Sequence, residues 1–216
     1  MADIGNDPRI DPRIKALMGS IPVSIQEDVT SREQLLEEAN SPESIAAWER
    51  SAALMGLLDN EQVAPSAGLQ TTTHEFTSAP DGNTVKVQFI RPESPEPLPC
   101  VYYIHGGGMQ IMSCFDGIYR AWGRIIAQQG VAVAMVDFRN CLVPSSGGEV
   151  APFPAGLNDC VSGLKWLAGT ANELNIDPAH IIIAGESGGG NLTLASGLKL
   201  KQDGDLALVK GLYAVS

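Results

Sequence analysis

The sequence lacks features that would identify several common classes of protein. It contains no apolar run of about 18 residues, the length that a helix needs to cross a bilayer, so no membrane span is expected. Basic residues are scarce, with 14 Lys and Arg against 25 Asp and Glu. The net charge of −11 argues against nucleic acid or an anionic membrane as a partner. The N-terminus also shows neither the basic nor the apolar segment of a secretory signal.

Motifs for metals, disulfides and nucleotides are missing as well. No C-x-x-C spacing occurs, so we expect reduced cysteines buried in the core of a cytoplasmic protein. These are Cys100, Cys114, Cys141 and Cys160. The glycine-rich stretches match neither a P-loop nor G-x-G-x-x-G, which leaves nucleotide binding poorly supported. The sequence therefore predicts no cofactor and no metal.

The most informative stretch surrounds Ser187. Residues 181–184 form a short run of small or β-branched apolar residues, which predicts a strand buried on both faces. Gly185-Glu186-Ser187-Gly188-Gly189 follows, and residues 190–195 favour the start of a helix. A strand, a tight turn carrying Ser in G-x-S-x-G, and a helix together predict a nucleophile elbow. The alternative is a glycine-rich turn with an incidental serine.

A second glycine-rich segment, His105-Gly106-Gly107-Gly108, follows the predicted buried strand 100–104. Ligands of open α/β sheets bind at this end of a strand, and glycines let backbone N–H groups turn inward. Two such groups, together with the N–H of Gly188, would form an oxyanion hole. The alternatives are a phosphate-binding loop and a plain turn. The occurrence of both motifs, in this order, favours a serine hydrolase.

The remaining chain alternates strands and helices, which predicts a mostly parallel, doubly wound sheet. We expect a hairpin over 69–92, strands near 131–136 and 212–215, and helices starting near 117 and 154. Asp177-Pro178 predicts a turn, with the strand before Ser187 beginning near His180. The helix expected after Ser41 carries an apolar face, which fits either packing on the protein body or a lid over an apolar pocket. That face comprises Ile45, Trp48, Ala52 and Met55.

The two glycine motifs resemble those of the hormone-sensitive-lipase family of α/β-hydrolases, and of a bacterial esterase branch in particular. The similarity covers roughly residues 99–216 and includes the segments 136–140, 152–154 and 159–160. It implies an α/β-hydrolase core over 69–216, preceded by an N-terminal helical cap region over 1–68.

The resemblance also implies the reaction, a carboxylester hydrolysis of small to medium acyl esters through an acyl-enzyme. Ser187 would be the nucleophile, and Gly107, Gly108 and Gly188 would supply the oxyanion-hole N–H groups. His105 and Gly106 would support the oxyanion loop. Glu186 stands where many relatives have Asp, and Met109 where an aromatic residue is common, so the acyl and alcohol preference stays open.

The general base and its carboxylate are missing from the predicted site. In α/β-hydrolases the acid and the histidine follow the serine, yet no histidine follows Ser187. His74, His105 and His180 are all poorly placed by the predicted elements. The acidic residues also fall short. Glu186 is expected either to be structural or to support the catalytic residues from behind, and Asp203 and Asp205 are expected to point away. Asp137 and Asp159 are expected to form a buried polar network with Arg139.

The family fold has two further strands, whose ends carry the acid and the histidine. We therefore expect this chain to be the N-terminal portion of a longer polypeptide, inactive alone, whose remainder supplies both groups. A different function is a non-catalytic hydrolase-fold protein that binds a small apolar ligand. An amidase or thioesterase on the same scaffold cannot be separated from an esterase by sequence. A homodimer is also left open.

Overall fold

The computed structural model describes residues 6–18 and 28–216. Residues 1–5 and 19–27, including the start of the N-terminus analysed for a secretory signal, lie outside the described residues. The chain divides into two compact units, Met1–Leu35 and Leu36–Ser216. The first unit holds helix α1 (Pro12–Met18), and helix α2 (Arg32–Ala39) begins in it. The assignment of residues 1–68 as a cap region stays a prediction.

Helix α3 (Pro42–Gly56) begins where its sequence indicates. The Ser41 hydroxyl accepts the N–H of Ser44 at 3.2 Å, and Pro42 occupies the first helical turn. No side chain of α3 is buried, and Leu54 is 70% exposed. Of the expected packing face, Ile45 is exposed whereas Trp48, Ala52 and Met55 are half-buried, so the face is covered only in part. Its role as a lid stays a prediction.

A six-stranded sheet forms the centre of the second unit, with the order β1-β2-β4-β3-β5-β6. The strands are β1 (Leu69–Thr77), β2 (Thr84–Pro92), β3 (Leu98–Ile104), β4 (Ala132–Val136), β5 (Ile176–Glu186) and β6 (Gly211–Val215). Strands β4, β3, β5 and β6 pair in parallel, whereas the predicted hairpin β1–β2 adds an antiparallel edge. The mostly parallel sheet is thus confirmed.

Helices cover both faces of this sheet. Successive side chains of a strand point to opposite faces. Tyr102 and Ile104 of β3 accordingly join the core formed with α5 (Ala155–Gly169) and α6 (Gly188–Asp203). Tyr103 joins the second core, with α4 (Gly117–Ala127). Burial on both faces explains why these strands read as unbroken apolar runs.

Strand β5 differs from the prediction at its start. It begins at Ile176, so Asp177 and Pro178 lie within it rather than in a separate turn. Leu98 of β3 pairs with Ile176, but Cys100 pairs with Ile181, so residues 177–180 form a bulge. Proline fits there because a bulged residue need not donate to the ladder.

Candidate active site

Ser187 occupies a strained turn between β5 and α6. Its backbone has φ 53° and ψ −120°, a left-handed conformation that non-glycine residues rarely adopt, and its side chain is exposed. The Ser187 N–H donates to the Val215 carbonyl at 2.8 Å, and its own carbonyl accepts the Asn191 N–H at 3.0 Å. The strand, the turn and the helix are therefore present as predicted, with the hydroxyl at the carboxyl end of β5.

Glycines on either side of the serine permit close backbone contacts. A Cβ at Gly185 would lie 2.5 Å from the Gly189 carbonyl oxygen and 2.6 Å from that of Ile104. A Cβ at Gly189 would lie 2.6 Å from the His105 carbonyl oxygen. None of these three distances is tolerable for a real side chain. These glycines let the serine turn lie directly against the end of β3.

The segment after β3 packs against the start of α6. Gly107, Gly108 and Met109 have successive positive φ values of 94°, 63° and 63°. We call residues 105–109 the oxyanion loop, after the role proposed below. A Cβ at Gly188 would lie 2.8 Å from both the Cα and the N of Gly108. In the described part of the chain, the amides of Gly107, Gly108 and Gly188 donate to no protein acceptor.

His105 is fully buried at the base of this loop. Its ring stacks on Phe138 with centroids 4.3 Å apart, and its Nδ1–H donates to the Gly106 carbonyl at 2.9 Å. Burial lowers the pKa of His105, which keeps the imidazole neutral. These contacts fit a supporting role in the loop rather than proton transfer at Ser187.

Glu186 lies at the centre of a polar cluster beside the serine. Its Oε1 accepts the Gly106 N–H at 2.8 Å and the Tyr119 hydroxyl at 2.7 Å, while its Oε2 accepts the Tyr103 hydroxyl at 2.5 Å. Burial, and then the bond to Glu186, raise the pKa of both tyrosines, so both stay protonated donors. Sequence reasoning missed these tyrosines, although strand alternation places Tyr103 on the α4 face.

The other two histidines lie away from the serine turn. His74 is in β1, where its ring contacts Phe89 and Trp166. His180 lies near the start of β5 and bonds to Asp177 at 2.6 Å. Seven residues of extended strand separate His180 from Ser187, or roughly 20 Å. Neither histidine is brought to the site.

The acidic residues considered from the sequence have other partners. Asp203 pairs with Lys165 and Lys199 at the end of α6, as expected. Asp205 also pairs with Lys165, at 2.8 Å.

Of the expected buried network of Asp137, Arg139 and Asp159, the bond between Arg139 and Asp159 is confirmed, whereas the inclusion of Asp137 is wrong. Arg139 bonds to Asp159 through Nε at 2.9 Å and Nη2 at 3.0 Å. Asp137 instead accepts bonds from Ser113 and Ser146. Asp137 directly follows β4 and bonds to the loops that carry Ser113 and Ser146, whereas Arg139, two residues later, bonds to Asp159 in α5.

An apolar cavity of about 640 Å³ opens beside the Glu186 cluster, between α4 and strands β3, β5 and β6. Its walls include Trp122, Ile126, Ile182, Tyr213 and Val215.

Within the described residues, no three His, Cys, Asp or Glu side chains come together as metal ligands do. No described helix is both long enough and apolar enough to cross a bilayer.

Comparison with known proteins gives matches over most of the chain. The family described as α/β hydrolase fold matches residues 101–216. Carboxylesterase NlhH of Mycobacterium tuberculosis is 30% identical over 188 residues, which cover 86% of this chain and 50% of NlhH. The chain thus spans about half the length of this relative.

Solved structures agree with this match. Esterase Est22, solved with p-nitrophenol, is 62% identical with a TM-score of 0.90, over 97% of this chain and 61% of that one. Brefeldin A esterase, described as a bacterial homologue of human hormone-sensitive lipase, is 29% identical with a TM-score of 0.74, over 98% and 58%. The chain therefore belongs to the α/β-hydrolase family, in its hormone-sensitive-lipase branch.

Proposed function

We propose that these residues form the nucleophile and oxyanion-binding part of a serine carboxylesterase. One observation carries the proposal: Gly188 lies against Gly108 beside a strained, exposed Ser187. The esterase names of the relatives support the same reaction. Ester substrates with small to medium acyl groups fit the proposal.

In the proposed reaction, the Ser187 hydroxyl oxygen attacks the ester carbonyl carbon and the carbonyl π electrons move to oxygen. The N–H groups of Gly107, Gly108 and Gly188 would stabilise this oxyanion, and one such donor contributes on the order of 3 kcal/mol. The serine proton passes through a general base to the departing alkoxide, which leaves an acyl-Ser187 ester. Water, which gives a proton to the same base, then attacks the acyl carbon of this ester. The bond between that carbon and the Ser187 oxygen breaks, the base returns the proton to the serine, and the carboxylic acid leaves.

The general base is proposed to come from outside these 216 residues. All three histidines of the sequence have contacts that hold them elsewhere: His105 donates to Gly106, His180 pairs with Asp177, and His74 bonds to Thr72. The carboxylate that orients the base would come from outside this chain as well. His105 and Gly106 are proposed only to support the oxyanion loop.

The test uses the complete natural protein that carries these residues. We expect it to hydrolyse p-nitrophenyl acetate and to be labelled at Ser187 by a fluorophosphonate probe, with Ser187→Ala as the control that loses both. Peptide mapping identifies the labelled residue. Labelling at another serine, or a folded protein with no turnover and no label, would refute the proposal.

A non-catalytic function is favoured by the apolar cavity of about 640 Å³, together with the bond that holds the His105 Nδ1–H on the Gly106 carbonyl rather than on Ser187. Such a protein would bind a small apolar ligand while Ser187 stays unreactive. Calorimetric titration with a short-chain ester would then show saturable binding without product. Product release with a labelled Ser187 excludes this alternative. Parallel assays with p-nitroacetanilide and a short acyl thioester separate an esterase from an amidase or thioesterase.

A further inference from the structure

We propose that Glu186 is a positioning residue that holds the oxyanion loop against the serine turn through the Gly106 N–H, with Tyr119 as a second support. The proposal rests on the proposed function for its catalytic consequence, because the loop matters for turnover only if its amides bind an oxyanion. The sequence indicated that this side chain is structural or supports the site, without indicating which group it holds.

The carboxylate of Glu186 links the two halves of the site directly. Its Oε1 accepts the Gly106 N–H at 2.8 Å, so the residue immediately before Ser187 is bonded to the residue immediately before Gly107. Tyr119 closes the arrangement, because its hydroxyl donates to the same Oε1 at 2.7 Å and lies 3.0 Å from the Gly106 nitrogen. A shift of the carboxylate would therefore move the loop relative to the serine.

Close packing reinforces this link. A Cβ at Gly106 would lie 3.2 Å from both the Cδ and the carbonyl oxygen of Glu186. The loop backbone thus touches the glutamate side chain with no space between them. Shortening the side chain by one methylene, as in Asp, would withdraw the oxygens by about 1.5 Å.

Charge also argues for a dedicated role. Among the described residues, Glu186 forms no salt bridge, and its carboxylate is satisfied by two phenols and one amide. A partly buried carboxylate without a cation costs free energy that an apolar residue at this position would avoid. The presence of a carboxylate next to Ser187 is explained if its hydrogen bonds set the geometry of the oxyanion loop.

The two tyrosines supply a matched pair of variants. Both are 5% exposed and each donates one hydroxyl to the same carboxylate, but only Tyr119 also lies within bonding distance of Gly106. If the carboxylate acts through Gly106, Tyr119→Phe should lower kcat more than Tyr103→Phe. If the cluster only stabilises the fold, the two variants should behave alike.

The experiment measures kcat and KM for p-nitrophenyl acetate with the complete natural protein. A misplacement of about 1 Å can cost about 100-fold in rate. We expect Glu186→Ala to lower kcat by about that factor while KM changes less than about threefold, because the misplaced amides would stabilise the transition state less and affect substrate binding little. Glu186→Gln keeps an acceptor oxygen for Gly106, so it should restore kcat to within about fivefold of the wild type. An unchanged kcat in Glu186→Ala overturns the proposal, as does equal behaviour of the two tyrosine variants.

Hydrogen exchange gives a second readout that needs no turnover. Exchange of the Gly106 amide, which bonds to Glu186, should accelerate in Glu186→Ala and Tyr119→Phe, and stay at the wild-type rate in Tyr103→Phe. If the wild type proves inactive on esters, the proposed function fails, yet faster exchange in Glu186→Ala still supports the positioning. Unchanged exchange in that variant overturns it. Should Glu186→Ala fail to fold, the comparison of Tyr119→Phe with Tyr103→Phe decides the question.

Discussion

Removal of the Asp159 carboxylate is the perturbation whose effect on stability the structure defines best. Asp159 is fully buried in α5, and its two oxygens accept Nε and Nη2 of Arg139 at 2.9 and 3.0 Å. The same carboxylate accepts the Arg139 N–H at 3.0 Å and the Asn83 side-chain amide at 3.3 Å. It therefore joins the end of β4 to the hairpin turn. The Asp159 carboxylate is the largest influence raising the pKa of Arg139.

The expected magnitude follows from burial. The Arg139 side chain is only 9% exposed, so Asp159→Ala leaves a guanidinium that water cannot fully solvate. Removing one partner of a buried pair costs about 3–5 kcal/mol of unfolding free energy. Asp81 bonds to Arg139 as well, at 2.7 Å, but its side chain is 43% exposed. A pair of that kind contributes about 0–1 kcal/mol.

Urea unfolding of the complete natural protein, followed by fluorescence, tests this reasoning. Asp81→Ala is the matched control, because it removes a carboxylate from the same arginine at the exposed side. We expect Asp159→Ala to lose at least about 2 kcal/mol more than this control. If the two variants unfold within about 1 kcal/mol of each other, the argument from burial is wrong.

Three further predictions concern the site. Ser187 holds φ 53°, which costs about 1–3 kcal/mol in a non-glycine residue, so Ser187→Gly should be more stable in urea than Ser187→Ala, and equal midpoints would contradict the strain. Burial lowers the pKa of His105, so below about pH 6.5 the unfolded state binds a proton that the folded state does not. This contribution to stability is present above that pH and is lost as the pH falls towards 5. The urea midpoint of His105→Gln should therefore fall less between pH 7 and pH 5 than that of the wild type. An equal fall in both proteins would show that another group titrates. Finally, a Cβ at Gly188 would lie 2.8 Å from Gly108, so Gly188→Ala should lower ester turnover at least about 100-fold. Gly169→Ala, where a Cβ meets nothing within 4 Å, should turn over like the wild type, and equal rates in the two variants would refute the steric argument.

Local sterics made the serine turn predictable. A buried apolar run, glycines two residues before and after Ser187, and a helix-forming segment define a strand–turn–helix without knowledge of any distant partner. The positive φ of Ser187 and the tight contacts of Gly185 and Gly189 agree with that reading. The same holds for the sheet, because two-sided burial of strands such as β3 leaves an unbroken apolar pattern.

Long-range pairing decided the rest. The bulge at residues 177–180 arises from the register between β5 and β3, which the local Asp177-Pro178 signal cannot reveal. The separation of Asp137 from the Arg139–Asp159 pair depends likewise on which loops fold back towards β4.

The sequence by itself determined the mostly parallel sheet and the candidate nucleophile, because those follow from short-range spacing and backbone sterics. The resemblance of its two glycine motifs to those of a known family indicated the family. Only the tertiary structure decided that Glu186 bonds to Gly106, Tyr103 and Tyr119. Those residues are up to 83 positions from Glu186 in the chain. Hydrogen bonds across such separations are fixed by the packing of α4 and β3 against β5, and no local pattern in the sequence encodes that packing.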